Sequence, residues 1–504
     1  MRHIVVSAYP RRVPAVLTAV VFVILVTTIG CDSSSPEITG NNGDPSEIPR
    51  VPPPNPLGDR TNPLQTWIRT HWTGGDPDLT GGFFRPHIKV YGHSYTFFEN
   101  VTGPDAQALF VAENYDIYMG GGDIVGDYMA GQSTVTLYEP TTAHVLATRD
   151  SIAIDAWLED PSLNTQGYIF DDVVMHYKWD VDTWYDNTPG WNPDDDHNGD
   201  LCRDVSPSQP DRTAACIQDA EVRQPNFWNR DNFVRRVKIR HPAYIGATIN
   251  RAVSRWGVHG TGGYHFDAVS YENWYLALDR TFTYEGFDEA DPDHPMRTDL
   301  LYFVPTVIEA VENEIGTQTI HFGNTVTPYY TCAIPRSKEL SLKYIENTLN
   351  ENWLVTNVAG EKPLTTDRRA DYLDCPFTDW LEQGKGYIFT AYNYPATDRG
   401  KRFSLAVFYM INHQMAFYYY RTDDHRIRTG EYVWDKQWNP YVDFDVGQPA
   451  VNSLGLPDFE GNSGTNRYFV MDTQAGYEII GREYERPDGT RILVVVKLMA
   501  EGLI

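Results

Sequence analysis

Only five of the 504 residues are cysteine, and no two of them are spaced as CxxC. Zinc ribbons and thioredoxin-like redox chemistry therefore have little support. HExxH and GxSxG are absent too, which removes the zinc-protease helix and the hydrolase nucleophile elbow. Gly384-Lys385 is not followed by Ser or Thr, so it is no phosphate loop. Gly120-Gly121-Gly122 with Gly126 lacks dinucleotide spacing and reads as a strand-to-helix turn. No organic cofactor is expected. Positive charge is scarce: 41 Lys and Arg face 68 Asp and Glu, a formal net charge of -27. A surface that acidic repels phosphate backbones and argues against nucleic acid as a partner. Beyond residue 31 no stretch is apolar enough to span a bilayer.

What the chain does have is a globular composition, with 41% hydrophobic and 22% charged residues. It also has 13 Trp and 32 Tyr, a surplus that suits stacking on the apolar face of a pyranose as well as core packing. Its first thirty residues read as an export signal. Arg2, Arg11 and Arg12 precede the apolar run 13–29, and Gly30-Cys31 follows. Ile29-Gly30-Cys31 resembles the lipobox of a bacterial lipoprotein signal, with Thr28 where Leu is usual. The expectation is an exported protein held to the cell envelope, periplasmic or cell-surface, by a lipid on Cys31. The alternative is a single transmembrane anchor. With Cys31 lipidated, Cys202, Cys216, Cys332 and Cys375 remain, an even count that suggests two disulfides. The simplest pairing is local, Cys202 with Cys216 and Cys332 with Cys375, among three possible connectivities.

Residues 31–60 are rich in Ser, Pro, Gly and Asn and read as a disordered tether. From 61 to 425, strand-like and helix-like runs alternate. Strands are expected at 108–118, 144–154, 262–269, 319–324, 343–348, 387–392 and 415–420. Helices are expected at 243–256, 300–315, 377–383 and 404–411. This rhythm predicts an α/β fold, a (β/α)8 TIM barrel, with an insertion at 180–225. Residues 426–504 carry few helical signals. Pro487-Asp488-Gly489 between two apolar runs predicts a hairpin in a small β-rich appendage.

Two carboxylates stand out. Asp267 ends the run Gly262-Gly263-Tyr264-His265-Phe266-Asp267, and strand ends are where barrels of this class place their sites. Glu346 falls inside 343–348, read as an apolar strand, where an unpaired carboxyl would be costly. Two carboxylates on separate strand ends supply the acid and the nucleophile or base that glycoside hydrolysis needs. Asp267 is assigned nucleophile or base and Glu346 acid, with the roles exchangeable. Asn324, Tyr264 and Glu351 are the candidate substrate-binding residues, Asn324 through a sugar hydroxyl.

His241-Pro242-Ala243-Tyr244 followed by GGYHFDAVS, then Asn324, then Glu346, resembles the glycoside-hydrolase-like TIM-barrel family of bacterial exported proteins. Gly384-Lys385-Gly386, Asp445-Val446-Gly447-Gln448-Pro449 and Arg482-Glu483-Tyr484 extend the likeness toward the C-terminus. It implies the barrel, a polysaccharide substrate and Asp267 as a site residue. The insertion departs from the family and carries its own signal. Asp194, Asp196, Asn198 and Asp200, with Gly199 at the turn, match the start of a calcium loop, though Val205 stands where an EF-hand has Glu. A structural calcium ion is expected there. The competing reading of the whole chain is a non-catalytic glycan-binding or envelope-scaffold lipoprotein on the same fold. Oligomeric state and sugar specificity are not legible in the sequence.

Overall fold

The computed structural model describes residues 51–57, 60–71, 91–94, 115–120, 135–141, 148–173, 177–178, 223–225, 233–235, 237–256, 261–267, 269, 283–284, 295–325, 327–355, 364–394, 398–422, 439–444, 446–457 and 467–500. The chain divides into two units, 1–47 and 48–504, and every described element lies in the second. Cys31, the candidate calcium loop, Cys202 and Cys216 lie outside the described residues. No described helix is long and apolar enough to cross a membrane.

Eight strands form one sheet in chain order: β1 (Tyr91–Ser94), β2 (Ile117–Gly120), β3 (Val135–Tyr138), β4 (Thr261–Phe266), β5 (Ile320–Asn324), β6 (Asn347–Val355), β7 (Gly386–Tyr394) and β8 (Ala416–Thr422). All seven neighbouring pairs are parallel. Parallel neighbours in chain order require every crossover to run the same way round, the winding of a (β/α)8 unit. The sheet is curved. Phe322 on β5 and Phe417 on β8, three strands apart, meet edge to face at 6.2 Å. β1 and β8 also approach each other, but among the described residues no hydrogen-bonded ladder joins them. Gly263 is required where β4 passes β5, because a Cβ there would lie 1.9 Å from the Ile320 carbonyl oxygen.

Helices α1 (Pro63–His71), α2 (Thr148–Glu159), α3 (Pro242–Arg255), α4 (Pro295–Ile315), α5 (Pro335–Tyr344) and α6 (Asp398–Ile411) surround this sheet. α3 starts at Pro242 behind the His241 cap and buries Ala243, Tyr244, Ala247 and Ala252 at helical spacing. α2 corrects the strand expected at 144–154. Ile154 is buried but Ile152 is 65% exposed, so the apolar residues do not alternate as a one-sided strand needs. The buried Asp150 of α2 is ion-paired to Arg251 of α3. A wide π-helical turn at Pro376–Trp380 and a tight 3-10 turn at Leu381–Gln383 take the place of the helix expected at 377–383, ending at Gly384 with φ +73°.

The tether expected to reach residue 60 stops earlier. The Val51 amide donates to the Arg240 carbonyl, Leu57 is buried, and Arg60 is ion-paired to Glu312 and Glu346. Asn62 and Gln65 then donate to the Gly384 carbonyl at the N-terminal end of β7. Arg60, Asn62 and Gln65 therefore fasten the entry to α1 to the floor of the sheet.

The C-terminal appendage is antiparallel: β9 (Gln448–Pro449), β10 (Phe469–Gln474), β11 (Tyr477–Glu485) and β12 (Arg491–Met499). β11 and β12 are the expected hairpin, with Gly489 at φ +81° in its turn. The appendage is not separable from the helical layer. Arg482, fully buried, donates through Nη1 to the carbonyls of Tyr409, Met410 and Asn412 at the end of α6. Those carbonyls have no partner within the helix, so the appendage caps it.

Candidate active site at the C-terminal end of the sheet

β4 separates its faces cleanly. Tyr264 donates its hydroxyl to the Ala252 carbonyl of α3, and Phe266 meets Phe303 of α4 at 6.0 Å. Both face the helices. Tyr264 is therefore no substrate-binding residue: it is wholly buried in the wrong layer. By the two-residue alternation of a strand, His265 and Asp267 take the opposite face, toward the inside of the curved sheet. Burial pushes the His265 imidazole down to about 3, so it is neutral.

Asp267 lies just past the C-terminal end of β4, half-buried. The Val269 amide donates to the Asn324 carbonyl at 2.7 Å, which ties the start of the following loop to the end of β5. Asn324 is 2% exposed, and its Nδ2 donates to Asp267 Oδ1 at 2.7 Å. The same nitrogen donates to Glu351 Oε2 at 3.1 Å. Glu351 is half-buried on β6, beside a bulge between Asn350 and Leu354. Bulges bend a strand and re-aim its side chains. Two oxygens bonded to one nitrogen at those distances lie within about 6 Å of each other. Asp267, Asn324 and Glu351 thus converge from three adjacent strands.

Glu346 is not among them. Residues 343–348 are not a strand: α5 runs through Tyr344, Ile345 and Glu346 form the turn, and β6 begins at Asn347. In register, Thr348 is level with Gly323 and Leu349 with Asn324. Glu346 is three residues nearer the N-terminal end than that level, roughly 10 Å at about 3.3 Å per residue. Its carboxylate is held by Arg60, with Nη2 on Oε2 at 3.0 Å. His321 Nδ1 stands 3.5 Å away and is kept uncharged, driven well below its ordinary value by burial. Burial also pushes Glu346 upward against the bonds from Arg60 and the charge of Lys385. The expected Asp267–Glu346 pair is corrected on these grounds: the two carboxylates serve opposite ends of the sheet.

Sequence reasoning missed the layer behind the site. Thr325 and Asn350, next to Asn324 and Glu351, are buried and bonded to each other at 3.2 Å. Asn350 also reaches Thr331 at 3.4 Å, and the neighbouring Cys332 is bridged to Cys375. That bridge is the expected local pairing. The signal for the layer was the polar run Asn347-Thr348-Leu349-Asn350-Glu351, dense in amide and hydroxyl side chains. Among the described residues no group of three or more His, Cys, Asp or Glu is placed to hold a metal.

The likeness to solved structures is weak. The α-amylase of Geobacillus thermoleovorans, solved with acarbose, superposes with a TM-score of 0.36 at 10% identity, over 79% of this chain and 85% of that one. At that level it carries no argument for activity, and the fold rests on the strand order above. No family model matches the chain, and no curated protein is similar to it.

Proposed function

We propose that this chain is an exported glycoside hydrolase acting on a polysaccharide, on a TIM-barrel-like fold, with Asp267 and Glu351 as its carboxylate pair. The observation that carries this reading is their convergence on Asn324 at the C-terminal strand ends. One carboxyl group, protonated, gives its proton to the glycosidic oxygen as that bond breaks. The other, ionised, attacks the anomeric carbon, and water then releases the sugar with the first group as base. The oxygen separation within about 6 Å matches the retaining geometry of about 5–5.5 Å more closely than the inverting one of about 6.5–9.5 Å. Asp267 is assigned nucleophile and Glu351 acid. Attachment to the envelope through a lipid on Cys31 and a structural calcium at Asp194, Asp196, Asn198 and Asp200 belong to the same proposal.

The test is a polysaccharide panel given to the full chain, scoring released reducing ends and, by NMR, the anomer formed first. Release with retained configuration, lost in Asp267→Asn, supports the reading. Release that persists in the Asp267→Asn/Glu351→Gln double variant overturns it. Binding without release in the wild type would favour a glycan-binding lipoprotein.

A further inference from the structure

Asn324 has no N–H to offer a sugar. A primary amide nitrogen carries two hydrogens, and its two donations go to Asp267 at 2.7 Å and Glu351 at 3.1 Å. The side chain is 2% exposed, so it cannot swing out to meet a ligand without displacing its neighbours. Its backbone is held on both sides. The Asn324 carbonyl accepts from Val269, and the Thr325 amide donates to the Leu349 carbonyl at 2.9 Å.

The side chains behind it lock the same spacing. Thr325 Oγ1 shares a 2.6 Å bond with Thr348 Oγ1 and accepts from Asn350 Nδ2 at 3.2 Å. The residues flanking Asn324 and Glu351 are therefore joined to each other on the helix-facing side of β5 and β6. Thr331, a partner of Asn350, adjoins the Cys332–Cys375 bridge.

We infer that Asn324 is a positioning residue, an amide clamp that fixes the spacing of Asp267 and Glu351, and not a ligand of the sugar. The residue type is specific to that task. An Asp at 324 would be acceptor-only and would add a third negative charge, and an Ala would leave the two carboxylates unbridged. A clamp in place before substrate arrives supplies the preorganisation a two-carboxylate site needs.

This inference rests on the proposed carboxylate pair, and its test does not depend on finding the substrate. The full chain is labelled with 15N-asparagine, and the Asn324 side-chain amide is assigned by its loss in Asn324→Ala. One of its two protons should shift upfield in Asp267→Ala and the other in Glu351→Ala, with smaller shifts in Asp267→Asn and Glu351→Gln. Amide protons that stay in place in all four variants, or that both move in either alanine variant, overturn the clamp. If wild type releases no sugar from any polysaccharide, the hydrolase reading fails while these shifts still decide the role of Asn324. If it does, Asn324→Asp should lower kcat at least tenfold with KM held. A rise in KM at unchanged kcat would make Asn324 a sugar ligand and overturn the inference.

Discussion

Glu346, in the turn before β6, and Glu351, midway along that strand, meet opposite surroundings. Glu346 is 2% exposed, gripped by Arg60 on a floor that also holds Glu312, His321 and Lys385. Glu351 is half-buried, with a neutral amide as its partner and another carboxylate across that amide. A carboxylate fully enclosed with a guanidinium is a structural ion pair, expensive to break and inaccessible to substrate. One left partly open beside a second carboxylate has room for a reacting bond. Burial and partner, not the mere presence of Glu in a strand, separate the two roles.

The largest expected effect falls at the open end. Asp267→Asn and Glu351→Gln should each lower hydrolysis by about 10²–10⁴-fold. Their Tm should stay near wild type, since both side chains are half-buried. A large Tm loss in either would mean that the open end is structural too. At the closed end, Arg60→Met leaves Glu346 buried without its partner and should cost about 3–5 kcal/mol in chemical denaturation. An unchanged midpoint would show that the floor contributes nothing.

Breaking the Cys332–Cys375 bridge by the Cys332→Ser/Cys375→Ser double variant should cost about 4 kcal/mol, the chain-entropy value for a loop closed over 43 residues. Hydrogen exchange should rise most at 325–333 and 347–355, behind the site. Exchange rising equally at 60–71 would mean that the bridge serves the whole body.

The smallest effect is a slope with pH. Burial lowers His241 to about 4 and His265 to about 3, from an ordinary value of 6.5, so the folded protein refuses protons that the unfolded chain accepts. Stability that is full above pH 6.5 should therefore fall as pH drops toward those values. Each histidine contributes at most about 1.4 kcal/mol per pH unit. Glu346, raised by burial, opposes part of this loss. His265→Gln should flatten the fall in Tm between pH 6.5 and 4.5, and an unaltered slope would remove His265 from the account.

Much of the α/β body was legible. GGYHFD and TIHFGN read as strands because their apolar residues are dense and Gly or Asn marks their ends. Both strands form, and Asp267 and Asn324 lie where they were expected. The error at 343–348 has a physical origin. β6 opens on Asn347, Thr348 and Asn350, buried side chains that take part in hydrogen bonds, so hydropathy does not reveal its start. The apolar pair Tyr344-Ile345 before it is the end of α5 and a turn. Moving the strand start to Asn347 carries Glu346 to the floor and brings Glu351 to the mouth. The contacts of Arg60 with Glu312 and Glu346 on the floor were illegible for a different reason, since nothing in the Pro-rich segment before it names a distant partner.

The most direct test crosses the two glutamates in one experiment. Glu346→Gln and Glu351→Gln are compared with wild type for denaturation midpoint and for hydrolysis of whichever polysaccharide the wild type cleaves. The account predicts a crossed result: Glu346→Gln loses stability and keeps its rate per folded molecule, while Glu351→Gln keeps stability and loses the rate. A Glu351→Gln protein that cleaves at the wild-type rate, with Glu346→Gln folded but inactive, would contradict it and return the chemistry to the floor of the sheet.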